Sequence, residues 1–275
     1  MAAVADIELR LLIEAVYLRY GHDFRDYAQA SIKRRVGQAL QRMGAASISA
    51  LQERILHDPR QFAELLQYLT VPVSEMFRDP PYFLAIRQHV LPVLGTYPSL
   101  KVWVAGCSTG EEAYSMAILL HEEGLLERTI LYATDINHAS LEKARKGIFD
   151  LGAMQGFTRN YQRAGGHRSF GEYYTAAYGG ALMDKSLRDA ITFADHSLAT
   201  DAVFAETHFV SCRNVLIYFN RALQDRALGL FHESLAHRGF LGLGSKETLD
   251  FSAYAERFEP VSRPERLYRR LPDPG

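Results

Sequence analysis

Lys101-Val-Trp-Val-Ala105 runs directly into Gly106-Cys-Ser-Thr-Gly110, and Glu111 then opens a helix that continues to about His121. An apolar run that stops at a glycine-bearing turn and gives way to a helix is the opening unit of a parallel α/β sheet. Downstream, Arg128-Thr-Ile-Leu-Tyr-Ala133 is a second such run, ending at Asp135, with Asn137 placed to cap a helix through Leu141 and Ala144. Thr207 to Cys212 reads as another strand, followed by a helix from Arg221 to Leu235 and a strand over Gly239 to Leu243. Phe258 to Val261 and Arg266 to Arg270 read as a closing antiparallel pair. This alternation predicts a mostly parallel sheet covered on both faces.

Upstream of residue 96 only helices are expected. Leu9, Leu12, Ile13, Val16 and Tyr17 recur at the helical period, as do Ile32, Val36, Ala39, Leu40 and Met43, after which Gly44 is a stop. Ser47 can cap the next helix; Asp58-Pro59 and Asp79-Pro80 each read as an N-cap followed by a first-turn proline. The expected organisation is a helical domain over residues 1–95 and an α/β domain over 96–275. An insert at about 156–190, rich in Gly, Tyr and Arg, carries turn points at Gly165-Gly166 and Gly179-Gly180.

Bulk properties narrow the class. Of 275 residues, 48% are hydrophobic and 23% charged, the balance of a globular chain, with no apolar run of transmembrane length and no secretory signal at Met1 to Asp6. Cytoplasmic residence without membrane insertion is expected. Cys107 and Cys212 are the only cysteines, so no disulfide framework is possible, and the ten histidines form no metal constellation. The two cysteines end strands expected to be neighbours, which raises the hypothesis of a redox contact between them. A net charge of −1 speaks against nucleic acid as partner. No exposed heptad or apolar edge stands out, so a monomer is expected.

Ligands of doubly wound sheets bind at the carboxyl ends of the strands, near the reversal of strand order. Gly106 and Gly110 would let backbone approach a ligand there, and Asp135 is placed to accept the hydroxyls of a ribose. Glu111 and Glu112 open the helix where a pyrophosphate would sit, so they repel a dinucleotide and complement a cationic ligand. That charge argument favours S-adenosylmethionine, a sulfonium with an ammonium and no phosphate, over NAD. Alone, the two acids can equally serve the helix dipole.

Four blocks then resemble the chemotaxis receptor methyltransferases, the CheR family: Thr70-Val-Pro-Val-Ser-Glu-Met-Phe-Arg-Asp79, Gly106-Cys-Ser-Thr-Gly-Glu-Glu-Ala-Tyr-Ser-Met-Ala117, Ala133-Thr-Asp-Ile-Asn137 with Leu141 to Gly147, and Cys212-Arg-Asn-Val-Leu-Ile-Tyr-Phe219. They stand in order across nearly the whole chain. The resemblance implies a Rossmann-like S-adenosylmethionine-dependent methyltransferase sheet with an all-helical N-terminal domain and a small inserted β subdomain. It implies methyl transfer to glutamate carboxylates of a chemoreceptor or related signalling protein, with S-adenosylhomocysteine as product. Carried onto this chain, it implies cofactor contacts from Pro72, Ser74, Arg78, Gly106, Glu112, Asp135, Ser197, Leu198, Arg213 and Asn214, with Arg78 and Tyr218 nearest the reacting methyl. Pro72 stands where many members have Asn, and Ser197 where Asn is usual. These departures sustain a rival reading, a non-catalytic module that binds the cofactor or its product.

A glutamate is ionised near neutrality (reference pKa about 4.3), so its methylation requires no general base. The site must align the reactants and exclude water. Arg78 and Arg213 are suited to holding a carboxylate. Lys33, Arg34, Arg35 and Arg42 lie on one helix with no acid between them, a positive face expected to attract an acidic substrate helix and equally readable as a solvated surface.

Overall fold

The computed structural model describes residues 3–71 and 74–272. Four helices come first: α1 (Val4–Tyr20), α2 (Gln29–Met43), α3 (Ile48–His57) and α4 (Pro59–Leu69). Ser47 accepts from the Ala50 N–H and Asp58 from the Arg60 N–H, while Gly21 and Gly44 close α1 and α2 in the left-handed conformation. Leu9, Leu12, Val16, Ile32, Val36, Leu51, Ile55, Leu65 and Leu69 of these helices form a core with Phe24, against which Ile136 of the α/β unit packs.

The next helical stretch belongs elsewhere. Helix α5 (Pro80–Ala85) passes through a wider turn over Ile86–Val90 into α6 (Leu91–Leu94). Pro92 has no N–H to continue the regular ladder, which accounts for the widened turn. Helical periodicity places residues 76–94 with the helical domain, yet Met76, Phe83, Ile86, Val90 and Leu94 share a core with Val102, Val104 and Met116 of the α/β unit. Helical periodicity shows that a face is apolar without showing which core receives it. Asp79 does not cap α5 with its side chain; its backbone is left-handed (φ 55°) and its carboxylate turns to Arg213.

The α/β unit then proceeds as β1 (Leu100–Ala105), α7 (Glu111–Glu122), β2 (Thr129–Asp135), α8 (His138–Lys146), β3 (Ile148–Asp150) and α9 (Met154–Arg163). After β4 (Tyr174–Ala177), β5 (Gly180–Met183) and α10 (Lys185–Ala190) come β6 (Ile191–Asp195), β7 (Thr207–Cys212), α11 (Arg221–Ser234), β8 (Leu235–Leu243), β9 (Phe258–Ser262) and β10 (Leu267–Arg270). The main sheet has the order β6-β2-β1-β7-β8-β10-β9, parallel from β6 to β8 and antiparallel in its last two pairings. Strand alternation divides β1 between two cores: Val102 and Val104 face α7, Trp103 and Ala105 face α11. The order reverses between β1 and β7, and the candidate site lies at that reversal.

The insert is a three-stranded antiparallel sheet, β3-β5-β4, beginning at Ile148, ahead of the expected start near 156. Glu122 anchors it: its carboxylate accepts from the hydroxyls of Tyr161 and Tyr173 and the N–H of His167, and pairs with Arg87. At Gly166 a Cβ would fall 2.2 Å from the Tyr161 ring, so that ring sits on bare backbone. Among the described residues no helix is long and apolar enough to cross a membrane, and no His, Cys, Asp and Glu cluster could hold a metal.

Candidate cofactor site

Strand β1 ends where Gly106 and Cys107 both donate their N–H to the Thr134 carbonyl of β2 (2.8 and 2.9 Å). That fork leaves the loop from Gly106 to Gly110 curled over the strand ends. Asp135, the last residue of β2, accepts from the Ser108 N–H (2.8 Å) and the Asn137 N–H (2.9 Å), one on each oxygen. Burial pushes its carboxyl above the ordinary value, a shift partly offset by the Asn137 and Ser108 bonds. Each oxygen keeps a lone-pair direction for a ligand donor.

Gly106 and Gly110 have positive φ angles, 73° and 99°. A Cβ on Gly106 would lie 2.4 Å from Cγ2 of Val215, and one on Gly110 would lie 3.0 Å from the Ala144 Cβ. The glycines are thus demanded by the protein's own packing, in addition to any ligand.

A cleft opens beside Asp135. Of the residues expected at the site, Gly106, Asp135, Ser197, Leu198, Asn214 and Tyr218 line it. Arg35 also lines it. Expected on an exposed substrate-facing surface, Arg35 is 1% exposed; its Nη1 donates to the Leu69 carbonyl and its guanidinium lies 4.0 Å from the Tyr218 ring centroid. Lys33 is exposed and paired with Asp6 (2.7 Å), and Arg34 is exposed.

Ser74 and Arg78 line a separate cleft with Asp79, Asn160, Arg163 and Glu265. Glu112 and Arg213 line neither. Arg213, with a side chain 1% exposed, donates to Glu112 (3.3 Å), Asp79 (2.7 Å) and the Arg78 carbonyl (2.9 Å), and stacks over Tyr82 at 4.2 Å. Glu112 also accepts from Ser211 Oγ (2.6 Å). Glu111 is buried and accepts from Thr109 Oγ1. Both acids therefore have internal partners, which weakens the argument that they stand free for a cationic ligand. Pro72 lies outside the described residues.

Sequence reasoning passed over Tyr27, Ser108, Val71 and His196, which line the cleft. The helical domain reaches it through paired backbone: Ala28 N–H donates to the Tyr218 carbonyl (2.8 Å), Asn220 N–H to the Asp26 carbonyl (2.8 Å), and Tyr27 bridges Phe219. Thr70 Oγ1 accepts from Asn137 Nδ2 (2.7 Å), tying the end of α4 to the turn after Asp135. Cys107 and Cys212 are buried free thiols on either side of the strand reversal, and burial pushes both well above the ordinary thiol value, which disfavours thiolate chemistry.

A carboxylate at the end of β2, a glycine turn over β1 and a cleft at the strand reversal together define a nucleoside-binding doubly wound site. The chain belongs to the CheR methyltransferase family: residues 72–266 match the model of its S-adenosylmethionine-binding domain and residues 7–70 that of its all-alpha domain. S-adenosylmethionine is accordingly the cofactor. The chain is 68% identical over 265 residues to Cher3 of Pseudomonas putida, covering 96% of this chain and 97% of that one. It is 29% identical to a chemotaxis protein methyltransferase of Listeria monocytogenes (83% and 85% covered) and 27% identical to one from Salmonella typhimurium (93% and 88% covered).

Proposed function

We propose that this protein transfers the methyl group of S-adenosylmethionine to glutamate side chains of a chemoreceptor or related signalling protein. The observation that carries the reading is Asp135: a half-buried carboxylate, oriented by two backbone N–H groups, at the mouth of a cleft walled by both the helical and the α/β units. S-adenosylmethionine supplies an electrophilic methyl on a sulfonium. The residues of this chain supply the rest. Asp135 and Asn214 orient the nucleoside, and Arg35 and Tyr218 define the wall from which a carboxylate approaches. Arg35 is cationic whatever its surroundings, so it attracts the carboxylate without protonating it, and the nucleophile keeps its electron pair. The carboxylate oxygen bonds to carbon as the carbon–sulfur bond breaks, leaving a neutral ester and a neutral thioether. Each event removes one negative charge from the partner. Arg78, in the neighbouring cleft, acts on the same reaction through the Arg78–Asp79 turn that Arg213 grips.

The names of the relatives support chemotaxis as the setting, and the exposed Lys33 and Arg34 of α2 fit an acidic partner helix. The test is transfer of a radioactive methyl group to purified chemoreceptor cytoplasmic domains. Label that incorporates and is released as methanol by mild base supports protein-ester formation. Firm S-adenosylhomocysteine binding without label in any receptor would favour the non-catalytic module.

A further inference from the structure

Glu247 is 4% exposed and lines neither cleft, yet no carboxylate in the described residues is more fully engaged by backbone at the cofactor loop. Its Oε2 accepts from the N–H groups of Gly244 (2.6 Å) and Asn214 (3.0 Å), and its Oε1 from those of Val215 (2.9 Å) and Ile217 (3.3 Å). Three of those donors belong to the loop after β7, which carries Asn214, Val215 and Tyr218 to the cofactor cleft. The fourth closes the turn after β8. Asn214 is held at φ 60°, and a Cβ on Gly244 would stand 2.8 Å from the Asn214 nitrogen. The turn thus presses bare backbone against the loop it grips.

We propose that Glu247 is a positioning residue for methyl transfer: its carboxylate fixes the loop from Asn214 to Tyr218 so that these side chains meet the cofactor. The inference rests on the reading of the cleft as the methyl-transfer site. Four converging N–H groups need four acceptor directions, which a carboxylate has and an amide lacks. Glu247→Gln keeps size and shape but turns an NH₂ toward two of the four donors, leaving them unsatisfied.

The experiment is calorimetric titration of the full chain with S-adenosylhomocysteine, alongside thermal unfolding of each variant without ligand. Glu247→Gln is expected to weaken binding by about tenfold or more, the scale of a lost charge-assisted hydrogen bond. In an Asn214→Ala background the same change should cost little further, because both act through one loop. A role in stability alone would lower the melting temperature and leave the affinity of the folded protein unchanged, and that result overturns the proposal. So does full additivity with Asn214→Ala. Should Glu247→Gln fail to fold, Gly244→Ala decides: its Cβ would stand 2.7 Å from Glu247 Oε2 and 2.8 Å from the Asn214 nitrogen, forcing the carboxylate and the loop apart, and wild-type affinity in that variant overturns the proposal. Absence of binding by the unaltered chain would instead sink the reading of the cleft, and this inference with it.

Discussion

The guanidinium of Arg35, on a helix of the N-terminal unit, lies 4.0 Å from the centroid of the Tyr218 ring, at the end of the loop after β7. Two segments far apart in sequence therefore build one wall of the cleft. A desolvated cation over an aromatic face contributes about 2 kcal/mol, so Arg35→Ala should destabilise the protein by roughly that amount in urea titration and sharply reduce methyl transfer. Tyr218→Phe keeps the stack and removes only the hydroxyl. It should leave stability within about 0.5 kcal/mol while lowering turnover. Turnover unchanged in Tyr218→Phe would remove that hydroxyl from the chemistry.

Arg213 is a harsher test of buried charge. Its removal strands Glu112, whose side chain is 14% exposed, and releases Asp79 together with the Arg78 carbonyl. Breaking one side of a buried pair costs about 3–5 kcal/mol, and Arg213→Met should show a loss of that order by chemical denaturation. Arg213→Lys should recover only part of it. A single ammonium cannot span both acids, the carbonyl and the Tyr82 face at once.

The strands were legible where both faces are buried. Lys101 to Ala105 reads as a short apolar run because Val102 and Val104 enter one core while Trp103 and Ala105 enter the other. Strand β6 escaped notice: Ile191-Thr-Phe-Ala-Asp195 is an edge strand, buried at Ile191 and half-open or exposed beyond it, so its pattern is weak. Strand β3 is too short to announce itself. The misplacement of Arg35 had a remedy in the sequence. Ile32, Arg35, Val36 and Ala39 fall on one helical face, and three of the four are apolar, so the register put that arginine toward the interior. Glu247 had no such signal, because its role lies wholly in bonds to backbone.

Ligand binding should depend on pH through Asp135. Burial raises its folded-state pKa, with the nearby Asp195 adding to the shift. As pH falls through that raised value, a proton occupies an oxygen that must accept from the ligand, so S-adenosylhomocysteine affinity should fall. The group's effect on stability has the opposite sign. A folded pKa above the unfolded one gives a contribution that is complete below the unfolded value and is lost as pH rises through the folded one. Calorimetric titrations across a pH series, paired with melts of the free protein, would separate the two trends. An affinity that stays flat on acidification would exclude Asp135 as an acceptor for the ligand.

Gly106 and Val215 allow the glycine requirement to be divided into its parts. Gly106→Ala introduces a Cβ 2.4 Å from Val215 Cγ2 on a backbone at φ 73°. Overpacking costs about 1–3 kcal/mol, and the left-handed backbone adds about 1–2 kcal/mol for a residue with a Cβ. Truncating Val215 to Ala removes the clashing methyl and leaves the backbone term untouched. The double variant should therefore be more stable than Gly106→Ala alone by roughly the overpacking term, measured by thermal or urea unfolding as a double-mutant cycle. If the two changes simply add, the close approach to Val215 is not what excludes a side chain at Gly106. The requirement would then rest on backbone conformation and on the cofactor itself, which repeating the cycle with S-adenosylhomocysteine present would distinguish.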